Sequence, residues 1–96
     1  MKAVLIAHNA AIDAQVNEAL ESVGIDCYSK FTNTLGRGQI SEPHFDTDVW
    51  PGVNHCTFVV TEQDKAQKIM ARVRQMREKL AGEGLKAFMW EIEDVT

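Results

Sequence analysis

The sequence predicts an α+β fold, the ferredoxin-like βαββαβ sandwich: a four-stranded antiparallel sheet, two helices on one face, and a long loop between strands 2 and 3. Three observations predict it. Segments of strand and helix period follow one another as strand, helix, strand, strand, helix, strand. Two such split strand–helix–strand units with right-handed crossovers place both helices on one face and order the strands fourth, first, third, second. The one long stretch without apolar period, Leu35–His55, falls between the two units. A chain of 96 residues has room for one domain, residues 1–96, around one modest core.

Lys2–Ala7 (KAVLIA) is apolar, β-branched and too short for a helix, which suits a strand buried on both faces. Asn9 is a helix cap by residue type. From Ala10 to Val23 the residues Ile12, Val16, Leu20 and Val23 recur at helical spacing, with Asp13, Asn17, Glu18 and Glu21 elsewhere on the wheel. Gly24 is a natural C-terminal stop. Ile25–Thr34 alternates imperfectly: Ile25, Cys27, Ser29, Phe31 and Asn33 share one face, and Asp26, Tyr28, Lys30, Thr32 and Thr34 the other. One wetter face places this strand near a sheet edge. His55–Thr61 (HCTFVVT) is the third strand. A helix follows from Thr61 or Glu62 to about Leu80, with Asp64 favouring its first turn and a buried stripe of Ala66, Ile69, Met70, Val73, Met76 and Leu80. Gly82 and Gly84 break it, and Leu85–Ile92 (LKAFMWEI) is the last strand. Lys86, Phe88 and Trp90 share one face of that strand. A sheet apolar on both faces with helices on only one implies that another copy of the chain covers the second.

Composition narrows the function classes. A formal charge of −4 and a pI near 5.2 argue against a general nucleic-acid binder, which needs a basic footprint. No apolar run approaches the roughly 20 residues of a membrane helix. MKAVLIAHNA lacks the pattern of a secretory signal, so the expected compartment is the cytoplasm, where Cys27 and Cys56 are reduced thiols. Lys65, Lys68, Arg72, Arg74, Arg77 and Lys79 crowd one helix. They read as a solvated face, with docking on an acidic partner or an anionic membrane surface as the alternative.

The chemistry-bearing residues gather at the loop. Leu35–His55 holds three of the six glycines, both prolines and two of the three histidines, with Phe45, Val49 and Trp50 as apolar anchors. A loop of this length in a compact domain is usually functional. The topology puts its base at the sheet edge where the first strand ends (His8) and the third begins (His55). His44, flanked by Glu42 and Asp46, could fold onto that base. Imidazole with carboxylate suits zinc or copper, which makes His44, Asp46, His55 and His8 the candidate metal ligands. Their spacing matches no metal signature, and the alternative is solvated loop histidines with His8 a strand-end hydrogen bonder. Arg37 between Gly36 and Gly38 could meet an anion, because the glycines let the backbone approach a ligand closely. Trp50 is either a partner anchor or a staple pinning the loop to its own oligomer. No nucleophile, base and acid are brought together by the topology, so no enzyme activity is expected.

The loop motifs GRG (Gly36–Gly38), EPHF (Glu42–Phe45) and WPGVN (Trp50–Asn54), with the ending GLKAFMWEIEDV, resemble a small subgroup of the PII-like signalling superfamily associated with resistance-nodulation-division efflux transporters. The resemblance spans nearly the whole chain. It implies a homotrimer, a cytosolic sensor or partner of a membrane transporter, and a ligand-binding set drawn from Gly36, Arg37, Gly38, Trp50 and Asn54. Two departures matter. The turn LAGEGLKAF and the ending EIEDVT lack the glycine- and lysine-rich phosphate-binding turn and the basic C-terminus of true PII proteins, which argues against ATP bound in the PII manner. The loop has no tyrosine to accept uridylylation. Two other readings stand beside the sensor. One is a cytosolic transition-metal buffer or delivery protein. The other is a small ferredoxin-like enzyme, which would need a deep pocket where the apolar helix stripes should fill the space.

Overall fold

A computed structural model describes residues 1–34, 54–80 and 82–96. Its elements are β1 (Lys2–Asn9), a 3-10 turn (Ala10–Ile12), α1 (Asp13–Ser22), β2 (Ser29–Thr34), β3 (Asn54–Thr61), α2 (Gln63–Lys79) and β4 (Leu85–Glu91). The strands form one antiparallel sheet in the order β2-β3-β1-β4. This is the expected order read from the opposite edge. The expected loop Leu35–His55 ends sooner, because Asn54 and His55 already pair with Asn9 and His8 as the first residues of β3.

The helical layer covers one face. Val4, Ile6 and His8 of β1 and Thr57 and Val59 of β3 are buried beneath it. Against them pack Val16, Ala19 and Leu20 of α1 and Ala66, Ile69, Val73 and Met76 of α2. Between the helices lies an apolar cavity of about 10 Å³ lined by Ile6, Val16, Leu20, Ile69, Val73 and Met76. That is no larger than one water.

Two departures from the expected boundaries have local causes. The helix expected from Ala10 opens with a 3-10 turn, capped by the Asn9 side chain, which accepts the Ala11 N–H at 2.8 Å. The strand expected from Ile25 begins only at Ser29. The residues before it close α1 in a Schellman turn: Gly24 N–H reaches Glu21 O at 3.0 Å and Ile25 N–H reaches Leu20 O at 2.9 Å. Gly24 takes a left-handed φ of 81° there. Ile25 and Leu20, the hydrophobic pair of that motif, are both buried.

The second face of the sheet is apolar and open. Register places Leu5, Phe58 and Phe88 abreast, then Ala3, Val60 and Trp90, with Phe31 beside Cys56. Phe58 and Trp90 lie 6.1 Å apart by ring centroid. Phe31, Phe88 and Trp90 remain 57%, 49% and 43% exposed. Cys27 and Cys56 are free thiols.

Candidate functional site

Three chain passages converge at one sheet edge. His8, near the end of β1, is in register with His55 at the start of β3 and with Leu85 at the start of β4. The Asn9 N–H donates to Gly84 O at 2.8 Å, which draws the β4 entry turn to the same place. Thr34, the last residue of β2, donates its hydroxyl to Asn54 O at 2.9 Å. Residues 35–53 therefore leave from and return to one closed pair of stems.

Under the start of α1 this edge carries a buried polar network. His8 is 1% exposed. Its Nδ1 lies 3.2 Å from the Asn9 carbonyl. A carbonyl only accepts, so Nδ1 carries the hydrogen and Nε2 accepts from the Thr57 hydroxyl at 3.1 Å. Burial lowers the His8 pKa, and this outweighs the opposing pull of the Asn9 hydrogen bond and the Asp13 carboxylate. The ring is thus held neutral. His55 stands edge-on to it, ring centroids 5.8 Å apart, and donates Nδ1–H to Asp13 Oδ1 at 3.2 Å.

Asp13 is the hub. It is the first residue of α1, where the helix dipole favours a carboxylate. Its Oδ1 also accepts from Lys30 Nζ at 2.6 Å, and the same ammonium donates to Asn17 Oδ1 at 2.6 Å. Partial burial acts to raise the Asp13 pKa. The hydrogen bonds from Lys30 and His55 together overcome it, and the net shift is downward.

Of the residues singled out in the sequence, His8 and His55 come together, and Asn54 sits at the stem. Gly36, Arg37, Gly38, His44, Asp46 and Trp50 lie outside the described residues. Among the described residues no group of three or more His, Cys, Asp or Glu side chains is arranged to hold a metal ion. The nitrogen of His55 facing Asp13 and both nitrogens of His8 are engaged in hydrogen bonds. Asp13, Asn17, Lys30 and Thr57 were not singled out in the sequence. The first two lay on the polar side of a helix wheel and Lys30 on the wetter face of a strand. The signal available was topological: a helix joining β1 to β2 must cross β3, which brings its polar flank over the strand that carries His55 and Thr57.

A four-stranded antiparallel sheet in the order β2-β3-β1-β4 with both helices on one face defines the ferredoxin-like fold. The chain superposes on the nitrogen regulatory PII-like protein CPII of Thiomonas intermedia K12, bound to ADP and bicarbonate, with a TM-score of 0.77 and 13% identity over 95% of this chain and 84% of that one. The apo form of CPII gives a TM-score of 0.72 at 14% identity, over 95% and 87% of the two chains. A PII-like signalling protein of Thermus thermophilus gives 0.70 at 18% identity, over 93% and 83%. Likeness at these identities is likeness of fold. No protein-family model and no curated protein matches the sequence. No helix among the described residues is long and apolar enough to cross a membrane.

Proposed function

We propose that this chain is a non-enzymatic PII-like regulatory protein of the cytoplasm. It assembles as a homotrimer, takes a small ligand where residues 35–53 meet the sheet edge, and passes its state to a membrane transporter. The observation that carries this reading is the match over 95% of the chain to a nitrogen regulatory PII-like protein whose bound molecules are ADP and bicarbonate. Two further features support it. The open aromatic face of the sheet supplies the surface that self-assembly requires. The ends of β1 and β2 and the starts of β3 and β4 meet where a ligand could bias residues 35–53. The transporter rests on the loop motifs GRG, EPHF and WPGVN.

The test is calorimetric titration of chelator-stripped protein with ADP, with ADP plus bicarbonate, with zinc and, anaerobically, with copper(I), each repeated on Arg37→Ala and His44→Ala. Stoichiometric binding of the nucleotide or anion, weakened in Arg37→Ala, supports an anion sensor. Stoichiometric metal binding lost in His44→Ala makes the sensed ligand a metal and moves the protein toward buffering or delivery. No heat from any of the four defeats the ligand site placed at this edge.

A further inference from the structure

β2 is the strand the core does not hold. Among the described residues it lies at the sheet edge and pairs only with β3, and its register shifts between Phe31 and Thr34. Ser29, Phe31 and Thr32 are exposed. No residue of β2 belongs to the hydrophobic cluster that binds the other three strands to the helices. Its attachment to the helical layer is polar: Lys30 Nζ reaches Asp13 Oδ1 and Asn17 Oδ1, each at 2.6 Å. The start of β3 is tied to the same layer in the same way, by His55 Nδ1 at 3.2 Å from that same Asp13 oxygen. His8 Nε2 stands 3.8 Å from it. One oxygen atom is therefore shared by donors from β2 and β3, with the neutral His8 ring of β1 alongside. Asp13 is 31% exposed and Lys30 17% exposed, so the pair is shielded enough to resist screening yet remains within reach of solvent.

We propose that Asp13 is a latch. Its carboxylate holds the edge strand β2, and with it the first residues of β3, against the helical layer. Removing the charge releases β2 while the β1, β4 and α2 core stays folded. Local opening of this kind draws on elements with few buried apolar contacts, and β2 has none in the core cluster. The device is independent of what ligand the protein takes.

Hydrogen exchange by mass spectrometry on the full chain tests it, comparing wild type, Asp13→Asn and the charge-keeping Asp13→Glu. Loss of a hydrogen bond to a charged group predicts exchange of the β2 amides roughly ten- to a hundredfold faster in Asp13→Asn. Amides of β1, β4 and α2 should keep their wild-type rates, and Asp13→Glu, which keeps the carboxylate, should leave β2 slower than in Asp13→Asn. Should Asp13→Asn not fold, Lys30→Met removes the other partner with the same readout. Unchanged β2 exchange would mean that the sheet bonds alone hold the strand, and the latch would be wrong. An equal rise across β1, β4 and α2 would make Asp13 a general stabiliser and equally overturn it, as would an Asp13→Glu variant whose β2 exchanges as fast as in Asp13→Asn.

Discussion

Replacing Phe88 and Trp90 together by glutamate should turn an assembled protein into a folded monomer. Both side chains lie on the open face of the sheet and are 49% and 43% exposed in the single chain. A fully buried aromatic side chain accounts for roughly 150–250 Å², so about 100 Å² of each ring is still available for contact with another copy. At about 25 cal/mol per Å², the two rings together represent about 5 kcal/mol per subunit. That corresponds to between three and four powers of ten in a dissociation constant, before the added cost of dehydrating two carboxylates at the contact. The fold itself should survive, because neither ring belongs to the core under the helices. Sedimentation equilibrium with parallel circular dichroism gives the answer. Wild type should have the mass of a trimer at micromolar concentration, and the variant the mass of one chain with an unchanged spectrum. A wild-type monomer, or a double variant that keeps the wild-type mass, would refute the assignment of this face to self-assembly.

Three further outcomes follow from the fold and its network. Thr57 is fully buried and donates to His8 Nε2, so Thr57→Val keeps the shape and orphans that nitrogen, at a cost of about 1–3 kcal/mol in urea unfolding. Gly24 has φ +81° with only the far end of Lys65 near an added Cβ, at 3.6 Å. Gly24→Ala should therefore cost about 1–2 kcal/mol through backbone strain rather than collision, which a thermal melt would show. His8 has its pKa lowered by burial from an ordinary 6.5. The unfolded chain takes the proton first, so the stability His8 permits is full above pH 6.5 and is lost as pH falls from there through the folded value. His8→Gln should flatten that part of a stability-versus-pH profile. Asp13, lowered from 3.8, acts in a separate window: its stabilisation is present above pH 3.8 and lost below it. A profile as steep in His8→Gln as in wild type would remove His8 from the account.

What could be read in the sequence and what could not divide along a physical line. Strand order, the α2 stripe and the open aromatic face are consequences of apolar period, which repeats every second or every third to fourth residue. Period therefore located Ile69, Val73, Phe88 and Trp90 correctly. The same period misplaced the start of β2. Ile25 is apolar in an alternating stretch, yet its amide completes the α1 Schellman turn and its side chain joins the core without entering the sheet. The polar network escaped because polarity carries no such signal: a half-buried Lys30 and a solvated one look alike on a strand, and Asp13 reads as helix surface. What separates them is one geometric fact. The crossover from β1 to β2 runs over β3, so the first turn of α1 comes down where an edge strand has nothing apolar to offer. An ammonium and a carboxylate meet there because β2 contributes no hydrophobic side chain to the core. Phe31 is the one large apolar residue in SKFTNT, and alternation sets it on the face opposite Lys30, so this shortage was legible in the sequence. An edge strand without apolar anchors must be held by polar contacts or left to its single ladder. The distances at Asp13 place this protein in the first case, and the exchange rates of the β2 amides decide how much of the strand's order depends on it.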